Sequence, residues 1–327
     1  MIKYVGSVAC LGTAPQNCVR SVETQRASQN PLTSFSSSNS LGENINGPSV
    51  IRVPEWLPSP LGRYYMYFAH HEGQYIRLAY ADKLEGPWTI HEPGTLQLAQ
   101  CNIFCRHIAS PDVIVDASAK EIVMYFHGVL RGGHRQATDV AVSVDGINFI
   151  PHNTNIGSSY FQAFSHQGNV YAIDGKGGLN RAENWLGLWD RRKEPLIKPS
   201  FLSGWLRTRK LRVRHSGLYE DVNILYLFYT LKRDAPERIY LSTVNLDGDW
   251  TEWQLSYPIE VLRPEAGYEG VDYPIFPSRP GKAIHVQQLR DPGIIEDNGE
   301  LYMFYSVAGE MGIAMAKLQL NRVGVAD

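Results

Sequence analysis

Five short runs of one character recur along the chain: YYMYFA from Tyr64, IVMYFH from Ile122, VYAIDG from Val170, LYLFYT from Leu225 and LYMFYS from Leu301. Each is apolar and aromatic over the length of a strand. Their third positions, Met66, Met124, Ala172, Leu227 and Met303, are separated by 58, 48, 55 and 76 residues. A further strand-like run follows in IRLAYAD, TDVAVSVDG, RIYLSTVNLDG and GIAMAKL, and an outward strand precedes in SPDVIVDASAKEIVMYFHG, which begins at Asp112 and turns at DASAK. Consecutive short strands repeating at this period predict radial repetition, one small sheet per repeat around a common axis. The expected fold is all-β, a five-bladed β-propeller.

The repeats run from about 46 to 318, so a single propeller over residues 46–327 is expected, because blades share a closed core and do not stand alone. Ahead of it, residues 1–45 read as an N-terminal strand and an irregular arm. The strand, KYVGSVACLG, is expected to complete the last blade, closing the ring between Val5 and the blade near Met315. Residues 20–45 are rich in Ser, Asn and Gln without periodicity and are expected to be irregular, crossing a neighbouring blade or a second subunit. A homo-oligomer formed through this arm is one expectation.

With 43% hydrophobic residues the chain has ample apolar material for a core, and its net charge of -2 gives no electrostatic case for nucleic acid or an anionic membrane. No run approaches the roughly 18 apolar residues of a membrane span. The start, MIKYVGSVACLG, is too weak for a signal peptide, so a cytoplasmic location is expected. Cys10, Cys18, Cys101 and Cys105 form no zinc signature, since CNIFC has no second ligand pair. No metal or cofactor is assigned, although a central-axis ion near His285 stays open. GKGG at 175–178 lacks the length and hydroxyl of a phosphate loop and reads as a flexible turn. The run RTRKLRVRH, Arg207 to His215, departs from the neutral balance: it is either a solvated face or a contact for an anion or acidic sugar.

ADKLEGPW with the upstream YYMYFA, SPDV at Ser110 to Val113, VDGINF from Val144 and RDPGIIEDNGELYMFYS from Arg290 together resemble the blades of the five-bladed propeller glycoside hydrolases, the superfamily of families 43, 32, 68, 117 and 130. The resemblance covers about 270 residues. It implies cleavage of a glycosidic bond in a short oligosaccharide by two groups, one protonating the leaving oxygen and one activating water or attacking the sugar. In family 43 the base opens blade one, a second Asp opens blade two, and a Glu further on is the acid. Asp112 fills the blade-two place. Blade one departs from the pattern, because Asn46, Gly47, Pro48 and Ser49 offer no titrating group.

The acid–base pair is therefore expected among Asp112, Glu269, Asp291 and His215. Glu269 lies in AGYEGVDYPIFPS, a loop whose carboxylates and aromatics suit sugar binding or a surface turn; Asp291 follows Arg290 and equally suits a salt bridge. The resemblance to family 117 suggests a histidine acid, and His215 holds that position. Histidines at blade openings and strand ends, His70, His71, His107 and His127, are expected to line the funnel with Asn46, Arg214 and Arg290. The openings Asn46, His107, Tyr160, Arg214 and Arg290 are expected to gather at one end of the axis. Two other readings stay open: a sugar-binding propeller without catalysis, favoured by the missing blade-one acid, and a lyase-like enzyme of acidic sugars.

Overall fold

A computed structural model describes residues 3–7, 19–198 and 212–322. Its strands form five antiparallel sheets, the blades of a β-propeller. Blade one is Asn46–Arg52, Tyr64–Ala69, Arg77–Ala81 and Thr89–His91; blade two is Phe104–Asp116, Glu121–Leu130, Gln136–Ser143 and Ile150–Pro151. Blade three is Gln162–His166, Asn169–Ile173, Leu179–Ala182 and Asp190–Arg191; blade four is Arg212–Asp221, Ile224–Lys232, Ile239–Asn245 and Ile259–Leu262. Blade five combines Arg290–Asp297, Glu300–Val307 and Gly312–Arg322 with three strands from the start of the chain, Lys3–Ser7, Val19–Arg26 and Thr33–Ser34.

Continuous apolar runs follow from this architecture, because each blade is covered by a neighbour on both faces. YYMYFA is buried at every position, and ILYLFYTLK at all but the last. The core accordingly divides into clusters between adjacent blades. Tyr67 and Leu78 of blade one meet Met124 and Phe126 of blade two, and Tyr226 and Leu241 of blade four meet Met303 and Tyr305 of blade five. Each fully buried ring contributes on the order of 2–3 kcal/mol. Trp88 of the Gly-Pro turn packs edge-on against Phe304, ring centroids 6.0 Å apart, and joins blade one to blade five.

Closure corrects the expectation for the N-terminus. The strand that pairs with Gly312–Arg322 is Val19–Arg26, with Val22 opposite Leu320 and Thr24 opposite Leu318; Lys3–Ser7 adds outside it, Val5 opposite Glu23. Residues 20–26 are thus a strand and not irregular. Their polar composition conceals an inward set of Val19, Val22 and Thr24, which is all that an outer strand needs to seat on the core. From Asn30 to Ile45 the chain lies along its own propeller: Leu32 N–H donates to Ile313 O (2.9 Å) and Ile45 N–H to Glu310 O (2.9 Å).

The innermost strand of four blades breaks register at the same height, at Asn46/Ser49, Ala109/Asp112, Val213/Ser216 and Arg290/Gly293. Such bulges re-aim side chains and recur beside functional sites. Three of them hold a residue at positive φ, Gly47 (62°), Ser110 (48°) and Asp291 (48°), and Tyr160 ahead of blade three has φ 65°. Only glycine takes this conformation freely, so Ser110, Tyr160 and Asp291 are strained. The inner strands also approach one another so closely that a Cβ on Gly293 would collide with the Pro48 carbonyl.

Candidate active site

At this height Ser110, His215, Asp291 and Tyr160 turn toward the axis and line one pocket with Gly47, which contributes no side chain. A pocket sharing those four side chains continues outward between Asn46, His71, His107, His127 and Glu310. Tyr160 lies between two imidazoles, its ring centroid 4.1 Å from His127 and 5.4 Å from His215, with His107 and His127 edge-on at 6.1 Å. Asn46 Oδ1, His127 Nδ1 and Glu310 Oε2 are buried without a hydrogen-bond partner among the described residues. Each such atom costs about 1–3 kcal/mol, a cost that a polar ligand removes.

The charges of the pocket are set by a second layer. Arg290, fully buried, donates through Nε to Glu237 (3.0 Å) and through Nη1 to Glu310 (2.8 Å). Arg214 lies beside it, its Nη1 donating to Ser278 Oγ (3.2 Å) and its Nη2 to Gly281 O (3.2 Å), so it ties the loop before blade five to the funnel wall. His215 Nδ1 is 2.7 Å from Asp291 Oδ1, a charge contact in which the ring N–H is not aligned for a hydrogen bond, and Ser306 Oγ donates to Asp291 Oδ2 (3.1 Å).

These contacts separate the acids. Burial alone would raise Asp291, but His215, Arg214 and Arg290 outweigh it and hold this carboxyl well below the usual range. Burial pushes Glu310 up to about 7; Asp291 adds to the rise, and Arg290 and Arg214 oppose it. Burial lowers all the pocket imidazoles: His71 to about 4, reinforced by His107 and Arg214, and His127 well below its ordinary value. His215 is likewise lowered by burial, with Asp291 pulling the other way. At neutral pH the funnel therefore holds an ionised Asp291, a neutral His215 and a Glu310 poised between its two forms.

Of the residues expected here from sequence, Asn46, His71, His107, His127, His215 and Asp291 line the pocket, and Arg214 and Arg290 support it from behind. His70 does not line it: its Nε2 is 3.2 Å from Asn44 Nδ2 and its Nδ1 accepts from Glu72 N–H (3.1 Å), which fixes the loop after Tyr64–Ala69. Asp112 is displaced down the axis by the Ala109/Asp112 bulge. It borders a cavity of about 120 Å³ lined by Pro48, Gln162 and Gly293, where Oδ2 accepts from Ala163 N–H (2.7 Å) and, with the Gln162 amide turned so that its nitrogen faces the carboxyl, Oδ1 accepts from it at 3.3 Å. Burial raises its pKa to about 7 against that hydrogen bond.

Glu269 is not a funnel residue, contrary to expectation. It is wholly buried at the closure of the ring, where it accepts from Arg26 Nε (2.8 Å), Tyr305 Oη (2.9 Å) and the backbone N–H of Glu265 (2.8 Å) and Ala266 (3.1 Å). A carboxylate so fully paired serves the fold, and its basic partner lies on the N-terminal strand that sequence reading had placed in an arm. His285 lies in the loop before blade five, edge-on to Tyr273 at 5.2 Å, and not on an inner strand. The GKGG turn is ordered by Asp174, whose Oδ1 accepts from Lys176 and Gly178 N–H (2.8 and 2.9 Å). Glu310 was missed because AGEMG carries no motif; its one signal is its place just after a blade's second strand, where blade one carries His71. Among the described residues no group of His, Cys, Asp and Glu is arranged to hold a metal ion, and no helix is long and apolar enough to cross a membrane.

No protein-family model matches the chain. Among solved structures, a glycosyl hydrolase from Bacteroides ovatus matches with a TM-score of 0.63 at 12% identity, over 92% of this chain and 96% of that one. CoXyl43, a family 43 β-xylosidase/α-arabinofuranosidase from a compost microbial metagenome in complex with xylotriose, matches with a TM-score of 0.61 at 12% identity over 92% and 98%. The family 43 enzyme of Xanthomonas citri, also solved with xylose, matches with a TM-score of 0.58 at 13% identity over 84% and 88%. In sequence, the uncharacterized protein R118 of Acanthamoeba polyphaga mimivirus is 40% identical across 84% of this chain and 83% of its own length. The chain thus belongs to one family with that mimiviral protein, on the fold of the five-bladed propeller glycoside hydrolases.

Proposed function

We propose that the protein is a glycoside hydrolase that cleaves a short oligosaccharide in this funnel. The observation that carries the reading is the pairing, in one pocket, of a carboxyl pushed up toward neutrality with a histidine held by an ionised carboxylate. Environments that drive two titrating groups apart are how acid and base roles are divided. Glu310 is the proton donor to the leaving oxygen. His215, neutral and with Asp291 2.7 Å from its Nδ1, takes a proton from the attacking water through its other ring nitrogen, and the Asp291 charge stabilises the imidazolium that forms. Tyr160 offers a face for the sugar ring, and Asn46 Oδ1 an acceptor for a hydroxyl. The sugars bound by the structural neighbours support a sugar ligand.

Gly47 favours a second reading, binding without cleavage, because it leaves the blade-one bulge without a titrating side chain. One assay separates the two: reducing-sugar release from a panel of oligosaccharides, including xylo-, arabino- and uronide-containing ones. Turnover that drops by at least about 100-fold in both Glu310→Gln and His215→Gln supports hydrolysis. Sugar-dependent thermal stabilisation with no release from any substrate supports binding alone.

A further inference from the structure

The wall of the funnel between blades three and four concentrates positive charge among the described residues. Arg212 opens the inner strand of blade four and pairs across the ladder with Lys232, two positions ahead of the Arg214–His215 bulge. Lys232 is half-buried. Burial lowers its pKa, Arg214, Arg212 and Lys176 push it the same way, and Glu237 opposes them. Lys176 crowns the turn after Asn169–Ile173; its neighbour Gly175 donates N–H to Ser159 O (2.9 Å) and lies against the Tyr160 ring, so the turn abuts the funnel wall. The acids near these cations also face other cations: Asp174 faces Arg191 (3.1 Å), Asp234 faces Arg238 (2.7 Å), and Glu237 faces Arg290 (3.0 Å) and Arg214 (3.7 Å). In a chain of net charge -2 this concentration is local. The basic run Arg207, Arg209 and Lys210 ahead of Arg212 lies outside the described residues and is no part of this site. A partly buried ammonium among other cations is costly unless an anion joins it.

We propose that this lip is an anion subsite and that the substrate is an acidic sugar, its ring against Tyr160 and its carboxylate or sulfate on Lys232, Lys176 and Arg212. The assignment of a sugar rests on the function proposed above; the assignment of an anion rests on the cations alone. Calorimetric titration of the whole chain with glucose, glucuronic acid, glucose 6-sulfate and inorganic sulfate tests both. The two acidic sugars are expected to bind at least about tenfold more tightly than glucose, the scale of one charge-assisted hydrogen bond. That advantage is expected to shrink as salt is raised to roughly 0.5 M. It is expected to be lost in the double variant Lys232→Met/Lys176→Met with glucose affinity unchanged, and kept in Lys232→Arg, which guards against a misfolded variant. The tighter of the two acidic sugars identifies the anion. Glucose binding as tightly as both acidic sugars overturns the anion subsite and leaves the sugar reading standing. Sulfate binding that depends on Lys232, with no sugar bound, keeps the subsite and removes the sugar reading. No binding of sulfate or of either acidic sugar overturns the inference.

Discussion

Replacing Asp112 by Asn is expected to stabilise the fold at alkaline pH. This carboxyl is held between Ala163 N–H and the Gln162 amide beside the axial cavity, and burial raises its pKa from 3.8 to about 7. The sign follows from linkage. Above pH 7 the group is ionised in both folded and unfolded chains, but its charge is disfavoured in the fold; as pH falls from 7 to 4 the folded chain binds a proton first and gains stability. At about 1.4 kcal/mol per pH unit the cost at pH 8 is roughly 4 kcal/mol as an upper bound. Asn keeps an acceptor for Ala163 N–H, and a rotated Gln162 amide can accept from its new N–H, so the substitution removes the charge without orphaning its partners. The variant is expected to be about 2–4 kcal/mol more stable at pH 8, a rise of roughly 3–6 °C in Tm for a chain of this length. Urea unfolding at pH 8, 6 and 4 should show the gap narrowing by about 1.4 kcal/mol per unit below pH 7 and closing near pH 4. An Asn variant less stable at pH 8, or a gap constant with pH, refutes the reasoning. A loss of turnover of about 100-fold would return Asp112 to the catalytic set.

Glu269→Gln leaves Arg26 with only Glu265 (3.2 Å) and the Arg263 carbonyl (2.8 Å) at the ring closure and is expected to cost about 3–5 kcal/mol, roughly 4–7 °C in Tm, while sugar turnover per folded molecule stays within a few-fold; melting and active-site titration check both. Asp291→Asn removes the negative charge beside His215 and should lower kcat by at least about 100-fold. Its stability effect has the opposite pH sense to that of Asp112: Asp291 is depressed, so its ionised form stabilises the fold above pH 4, and that contribution is lost as acidification protonates it. Arg290→Gln takes from Glu310 the cation that opposes its rise, so any folded variant is expected to show the alkaline limb of its pH–rate profile displaced upward.

The blade repeat was legible because propeller strands are covered on both faces, which writes each one as an unbroken run such as YYMYFA, repeated every 48 to 76 residues. The closing strand was not, since Val19–Arg26 shows the core only Val19, Val22 and Thr24 between polar residues. Bulges decided the rest. Reading SPD and RDP as like openings places Asp112 and Asp291 together, but the Ala109/Asp112 shift points Ser110 at the funnel and sends Asp112 below it, whereas the Arg290/Gly293 shift aims Asp291 inward. Glu269 and Glu310 look alike as sequence, each a Glu in a Gly-flanked loop. Their roles separate only through partners far away in the chain, Arg26 for one and Arg290 with the empty side of the funnel for the other.

The pH dependence of kcat/KM on the best substrate of the oligosaccharide panel, measured for the parent and for Glu310→Gln, bears most directly on the central claim. Activity requires neutral His215 and protonated Glu310, so the parent is expected to give a bell with its acid limb below the ordinary histidine value of about 6.5 and its alkaline limb near 7. The Gln variant is expected to lose the alkaline limb along with most of the rate. A parent rate that is flat through pH 7 and 8, or an alkaline limb that survives at full rate in Glu310→Gln, would contradict the account.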